Sequence, residues 1–382
     1  MAGAAAGFTS DEYQRTQIAL KQYRVLAAED DGETLPATRK PVEPGALYAG
    51  VPRLRRLLAL VGDLPEDAAF AKSDLYDTGL VAAVKRFQTR HGLEPDGRLG
   101  KGTLGQLNTP LSFRVRQLEL ALERWRRLSY DSSRPAIVLN LPEFRLRAFD
   151  PGHRPALDMK IVIGRAHKLE TPLFSSELDT VLFRPYWNVP LSIQRKELLP
   201  LIKRDPSYIT KNDFELVTPK GVVVAQEAVS DTLLAQLRSG KLHLRQMRGP
   251  KNALGLVKFV FPNEYDVYMH DTPAKSLFAR ARRDFSHGCI RLENAQDLAE
   301  WVLLEESGWR QDRIVAAMQE TESNSVKLTR PIPVMTMYVT AVVLENGEVH
   351  FFDDIYGEDA VLEKELAAPA ATSVEPGPRP RE

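Results

Sequence analysis

The chain has 382 residues, with 51 Lys and Arg set against 51 Asp and Glu, so its formal net charge is zero. That balance argues against a nucleic-acid-binding protein, and no run of 18 apolar residues offers a membrane-spanning helix. The length is too great for one ordinary core and fits two domains plus accessories, while a single cysteine excludes an intrachain disulfide and leaves a free thiol.

In chain order, Met1-Ala2-Gly3-Ala4-Ala5-Ala6-Gly7 lacks the basic and apolar stretches of a signal peptide. Residues 9–27 read as a helix with a Ser10 cap, Asp11 and Glu12 in its acidic first turn, and Ile18, Val25 and Leu26 as its apolar side. Pro36, Pro41 and Pro44 mark a linker, so residues 1–46 form an N-terminal helix and linker. Residues 47–110 read as a small three-helix module: one helix from Val51 to about Gly62, a second over Leu80–Gln88, and a third over Lys101–Leu107. Phe87 and Leu93 are expected in its core, and Pro95-Asp96-Gly97 is a turn. Residues 111–128 give a linking helix whose stripe is Leu111, Val115, Leu118, Leu122 and Trp125. Arg114, Arg116, Arg124, Arg126 and Arg127 are expected on its solvent side.

From residue 135 the period changes. Segments 136–140, 144–149, 158–164 and 180–183 alternate or run apolar between Gly and Pro turns, which predicts a sandwich or barrel within an α+β protein. Residues 191–250 break the strand rhythm with two helical stretches and read as an inserted helical lid, framed by Gly249-Pro250 and Gly255. Arg245, Arg248 and Lys251 flank the cleft by sequence and are expected as a solvated rim. A helix follows near 294–304 and another over 310–320. Closing strands at 334–344 and 349–352 are joined by Asn346-Gly347. The catalytic domain is thus expected over 111–357, and 358–382 as a disordered tail.

The chemistry-bearing stretch is Ser286-His287-Gly288-Cys289-Ile290-Arg291-Leu292, with Tyr268-Met269-His270-Asp271-Thr272 upstream. A thiol nucleophile needs a base to make thiolate and donors for the oxyanion. Cys289 fits the nucleophile, His270 or His287 the base, and amides around Gly288 the donors. A lone Cys is more often a small buried hydrophobe. Against that stand a glycine between His287 and Cys289, poor filling for a core strand, and a strand that ends at His270. A helix soon after Cys289 would favour thiolate through its dipole. His270, Asp271, His287 and Cys289 also form a set that zinc could take.

His270, a 15-residue gap, then Ser286-His287-Gly288-Cys289 resembles the signature of the L,D-transpeptidase catalytic domain, the YkuD fold. Asn252-Ala253-Leu254-Gly255, Lys258-Phe259, Phe261-Pro262-Asn263, His270-Asp271-Thr272-Pro273, Pro185-Tyr186-Trp187-Asn188-Val189-Pro190 and Arg116-Gln117-Leu118-Glu119 are similar to its lidded, YcbB-type branch. Arg291 stands where many shorter members carry Asn. Ala83-Val84-Lys85-Arg86-Phe87-Gln88, His91-Gly92-Leu93, Asp96-Gly97, Gly100 and Thr103 to Leu107 resemble the peptidoglycan-binding type 1 domain.

The resemblance implies an exported cell-envelope or periplasmic acyltransferase that forms 3→3 peptidoglycan cross-links without a cofactor or metal. It implies Cys289 as nucleophile, His270 as base, Gly288 as oxyanion amide and His287 in a supporting role. Asp271 would orient the imidazole through its carbonyl or act through its carboxylate. Arg291, Trp187, Tyr268, Ser286 and Asn252 are implied as substrate contacts, with Trp187 open to a core role and Ser286 to a turn role. The implied partners are peptidoglycan stem peptides and glycan, carbapenem β-lactams as covalent inhibitors, and other cell-wall enzymes. A cysteine-dependent hydrolase of the same stems and a non-catalytic wall-binding protein remain as alternatives.

Overall fold

The computed structural model describes residues 11–70, 72–128, 131–225 and 228–368. The Ser10 cap, the first seven residues and the tail beyond residue 368 lie outside them. The chain divides into two compact units. One comprises 11–91, 95–128 and 339–368; the other comprises 92–94 and 131–338.

The helical unit begins with α1 (Asp11–Glu29), then α2 (Val51–Leu60), α3 (Thr78–Arg90), α4 (Lys101–Leu107) and α5 (Leu111–Arg127). Asp77 starts α3 by accepting from the Leu80 amide at 3.0 Å. Leu54, Leu58, Tyr76, Leu80, Val84, Phe87 and Leu99 make the core of α2 to α4; Leu93 is half-buried. Gln88 is buried there and ties the predicted turn, accepting from the Gly97 amide at 2.8 Å and donating to Asp96 at 2.9 Å. These residues are therefore explained by folding alone.

Four expectations change in this unit. The buried side of α1 is Thr16, Ala19, Leu20 and Tyr23, while Ile18 and Val25 face solvent. The i, i+3, i+4, i+7 stripe that packs on α5 passes beside the bulkier β-branched residues. Arg114 is buried instead of solvated, donating to Gln117 at 2.8 Å and lying 5.1 Å from the Phe351 ring. Arg124 pairs with the buried Asp359. That partner belongs to a helix, Glu358–Ala367, in a stretch expected to be disordered. By packing, residues 111–128 and the hairpin Ala341–Val343/Val349–Phe351 lie in this unit, although the sequence groups them with the catalytic domain.

The second unit is built on β1 (Ala136–Asn140), β2 (Arg145–Asp150), β3 (Arg154–Gly164), β4 (Ser175–Phe183), β5 (Trp187–Asn188), β6 (Phe214–Val217), β7 (Val223–Val224), β8 (His243–Gln246), β9 (Val257–Val260), β10 (Met269–His270), β11 (Asp284–Ser286), β12 (Ile290–Leu292) and β13 (Asn324–Met337). Its main sheet runs β11-β3-β12-β10-β9-β4-β13-β1-β2, and β2 pairs again with β3. The order returns on itself, so the sheet closes into a barrel, which removes its open edges. The predicted closing run 334–344 is two elements: it leaves the barrel after Met337 and resumes at Ala341.

The insertion carries a sheet as well as helices. α6 (Leu191–Ile193), a π-helical turn at Gln194–Leu198, α7 (Leu199–Arg204), α8 (Tyr208–Lys211) and α9 (Asp231–Ser239) pack on a four-stranded sheet, β5-β8-β6-β7. It has its own core of Leu198, Ile202, Ile209, Phe214, Leu216, Leu237 and Leu244. Buried Gln194 fastens it, accepting from the Leu244 amide and donating to the Leu237 carbonyl, both at 2.7 Å. The short strands of two to four residues are too brief for alternation to stand out. α10 (Ala295–Val302) and α11 (Gln311–Gln319) complete the unit.

Candidate active site

Strand register assembles the site. β10 pairs in parallel with β12, placing His270 opposite Arg291, and antiparallel with β9, placing His270 opposite Lys258. Met269, Phe259 and Ile290 are fully buried in the barrel. Side chains alternate across a strand, so Lys258, His270 and Arg291 form a row on the opposite face. Two residues back, Tyr268 and Cys289 lie on that face, with the Ile290 amide donating to the Tyr268 carbonyl at 3.0 Å. His270 is the diagonal neighbour of Cys289, a separation that long side chains span.

This face floors a cleft of about 710 Å³. Cys289, His270, Arg291, Tyr268, Lys258 and His287 line it, and Trp187, Ile193 and Glu197 bring in the insertion. Trp187 is half-buried, with its ring 6.3 Å from that of Phe214, so it walls the cleft while packing on the insertion. Tyr186 also lines the cleft, with Arg245 4.3 Å and Arg248 4.7 Å from its ring. Arg245 pairs with Glu215, Arg248 with Glu322 and Lys251 with Asp213, and none of the three basic residues lines the cleft.

Cys289 is half-buried in a turn that few sequences could form. Gly288 has φ +111°, a region that side chains rarely tolerate. The Ser286 hydroxyl knits the turn, donating to the Cys289 carbonyl at 2.6 Å and accepting from the Gly288 amide at 3.2 Å. Thr171 holds it from behind: its hydroxyl donates to the Gly288 carbonyl at 2.8 Å and accepts from the Gly164 amide at 2.9 Å. A side chain at Gly164 would meet the Leu169 carbonyl oxygen at 1.9 Å, so only glycine lets this loop close on β3. The motif readings miss Thr171, because a lone hydroxyl 118 residues before Cys289 carries no local pattern.

His270 is buried, and its Nδ1 lies 2.5 Å from the Asp271 carbonyl oxygen. A carbonyl can only accept, so Nδ1 carries the proton and Nε2 holds a lone pair. Burial, with Arg291 and then Lys258 nearby, pushes the imidazole down to about 3, so it is neutral at pH 7. Burial pushes the Cys289 thiol up, while hydrogen bonds from Tyr268 and the charges of Lys258 and Arg291 pull it back. The resting pair is therefore thiol and neutral imidazole. The thiol itself points to the Asp266 carbonyl at 3.8 Å. Asp266 has φ +54°, a strained backbone at the edge of the nucleophile.

The other expected residues separate into two groups. His287 faces the cleft but is engaged, its Nε2 2.5 Å from Glu197 Oε1. The Asp271 carboxylate accepts from the Leu256 amide at 2.9 Å and pairs with Lys275 at 2.9 Å, so only its carbonyl serves His270. Asn252 is not a substrate contact: it is buried, donates to the Pro185 and Met247 carbonyls, and accepts from the Leu254 amide. Ser286 lines the cleft, with its hydroxyl committed to the turn. The Gly288 amide faces that hydroxyl, whereas the Cys289 amide has no acceptor among the described residues. β12 separates Cys289 from α10 in the chain, so the thiol is not in that helix's first turn. Among the described residues no group of three or more His, Cys, Asp or Glu could hold a metal ion.

Comparison with known proteins is consistent with this geometry. The family profile described as "L,D-transpeptidase catalytic domain" matches residues 134–344, and one described as "Putative peptidoglycan binding domain" matches 48–107. A Haemophilus influenzae protein named "Putative L,D-transpeptidase" is 33% identical over 223 residues, 58% of this chain and 44% of its own length. The chain thus spans less than half of that curated relative. An L,D-transpeptidase from Stackebrandtia nassauensis is 12% identical over 79% of this chain and 97% of its own, with a TM-score of 0.29. L,D-transpeptidase 3 from Mycobacterium tuberculosis, solved with a faropenem-derived adduct, is 13% identical over 53% of this chain and 60% of its own, with a TM-score of 0.24. Scores this low add nothing to the fold read above.

Proposed function

The chain belongs to the L,D-transpeptidase catalytic domain family, and on that footing we propose that it forms 3→3 peptidoglycan cross-links through a thioester on Cys289. The observation that carries this reading is the pairing of a half-buried thiol with an imidazole whose Nδ1 is committed to a backbone carbonyl and whose Nε2 is free as a base.

His270 Nε2 takes the Cys289 proton as the sulfur attacks the penultimate carbonyl of a tetrapeptide donor stem. The Cys289 amide meets the oxyanion; removal of such a donor costs about 10²–10³ in rate. Collapse breaks the peptide bond, His270 returns the proton to the departing D-alanine amine, and the thioester remains. An acceptor stem's side-chain amine then attacks the thioester. Its proton passes through His270 to the leaving thiolate, and a new amide bond replaces the old one. A neutral imidazole at rest suits this role, since a protonated one could not accept from the thiol. Trp187 and Tyr186 provide an aromatic wall for the stem, and Arg291 pairs with a stem carboxylate. Carbapenems acylate the same sulfur, the small helical module engages glycan, and the protein works at the cell envelope.

Mass spectrometry of products from purified disaccharide-tetrapeptide tests this. Dimers lacking one terminal D-alanine, absent with Cys289→Ala, are expected. Tripeptide monomers alone would replace the transpeptidase with a hydrolase of the same stems, and unchanged substrate would overturn the reading.

A further inference from the structure

Two cations in the cleft lack a carboxylate partner among the described residues. Lys258 is half-buried, with Nζ 3.6 Å from the Tyr268 ring centroid, and Arg291 is half-buried in the same row. Neither has a carboxylate within ion-pair distance or a side-chain hydrogen bond among the described residues. Asp266 acts on Lys258 only from beyond ion-pair reach. Elsewhere in this unit, Arg283 donates to four backbone carbonyls and Arg147 pairs with Glu143. Withdrawing an unpaired cation from water is costly, and opposite charge or hydrogen bonding is what normally offsets it.

We propose that Lys258 and Arg291 together form a binding site for the C-terminal carboxylate of the residue that leaves the donor. This deepens, and rests on, the transpeptidase reading. The choice of carboxylate follows from covalent distance. Cys289 attacks one carbonyl carbon, and the leaving residue's carboxylate lies only three bonds beyond it, within about 5 Å. Other stem carboxylates lie farther along the chain. His270 stands between Lys258 and Arg291 in the register. A carboxylate anchored by this pair sets the scissile nitrogen, two bonds away, above His270 Nε2, which must protonate it. Lys258 acts as a point charge and Arg291 as a planar fork, so the pair recognises charge and orientation together. Lys258 is thereby a specificity-determining residue.

The test compares kcat/KM for disaccharide-tetrapeptide with a free C-terminal carboxylate and for its C-terminal amide. The wild type is expected to prefer the acid by about 10- to 100-fold, as loss of a charge-assisted contact implies. Lys258→Met should cut that preference roughly tenfold, chiefly through KM, and Lys258→Arg should retain most of it. Any effect of Lys258 on the thiol acts on both donors alike and cancels in the ratio. Equal turnover of acid and amide by the wild type overturns the carboxylate site and leaves the transpeptidase standing. An undiminished preference in a folded Lys258→Met overturns the role of Lys258. Acylation by neither donor ends the transpeptidase reading and this inference with it.

Discussion

His91 in the helical unit and His270 in the barrel unit are prepared in the same way. Each is buried, each has Nδ1 on a backbone carbonyl (Phe87 at 2.7 Å, Asp271 at 2.5 Å), and each has cations nearby. Burial first, then those charges, holds both imidazoles below their usual range. What differs is access. His91 is stacked 3.8 Å from the Phe87 ring, with Phe351 at 5.7 Å, beside a void of about 10 Å³. His270 opens on a cleft of about 710 Å³ beside a thiol. A shifted titration marks a buried histidine, and only a cavity and a reactive neighbour turn it into a catalytic candidate.

The comparison can be broken by substitution. His270→Gln is expected to lower acylation by about 10²–10⁴, measured as kcat/KM. His91→Gln should leave kcat/KM within about twofold; a comparable loss would remove the distinction. Next in size is Thr171→Val, which removes the hydroxyl linking Gly164 to Gly288. It should slow acylation about tenfold by loosening the Cys289 turn, and cost about 1–3 kcal/mol in denaturant unfolding through an unpaired buried group. A Thr171→Ser variant that recovers both would assign the effect to the hydroxyl.

A further effect, on stability alone, is shared by both histidines. With folded values below the ordinary 6.5, the unfolded chain holds a proton the folded chain does not as pH falls below 6.5. Stability therefore falls as pH drops through that window, for His270 down to about 3, and is fully present above 6.5. His270→Gln and His91→Gln should each flatten the acid loss of stability relative to wild type, read as denaturant midpoints from pH 7 to pH 4. A slope unchanged in both variants would contradict the buried neutral assignment.

The legibility of the two units follows the length of their elements. Helices α3 and α5 and the longer strands β1 to β4 showed their periods because 3.6 and 2.0 repeats are visible over several turns or alternations. The strands β5 and β7, two residues each, showed nothing by themselves. Within the site, Cys289 and His270 stood out because glycine and a strand end surround them. Lys258 stood only in the short run Lys258-Phe259 with no role attached, and strand register brings it beside His270, 12 residues away. Arg114 was misjudged for the converse reason: a helix face rich in Arg normally meets water, and its partners Gln106 and Gln117 give no local sign of it. Asn252 and Ser286 fell to the same ambiguity, since a polar residue near a site can serve the substrate or the backbone. Here their hydrogen bonds go to backbone.

The central claim is a covalent intermediate on one sulfur. Intact-protein mass spectrometry after brief incubation with disaccharide-tetrapeptide tests it most directly, with peptide mapping to locate the adduct. The expected result is a mass increase equal to the donor less D-alanine, on the peptide carrying Cys289, discharged on adding an acceptor amine. Cross-linked product with no adduct at any time point, or an adduct that persists in Cys289→Ala, would contradict it.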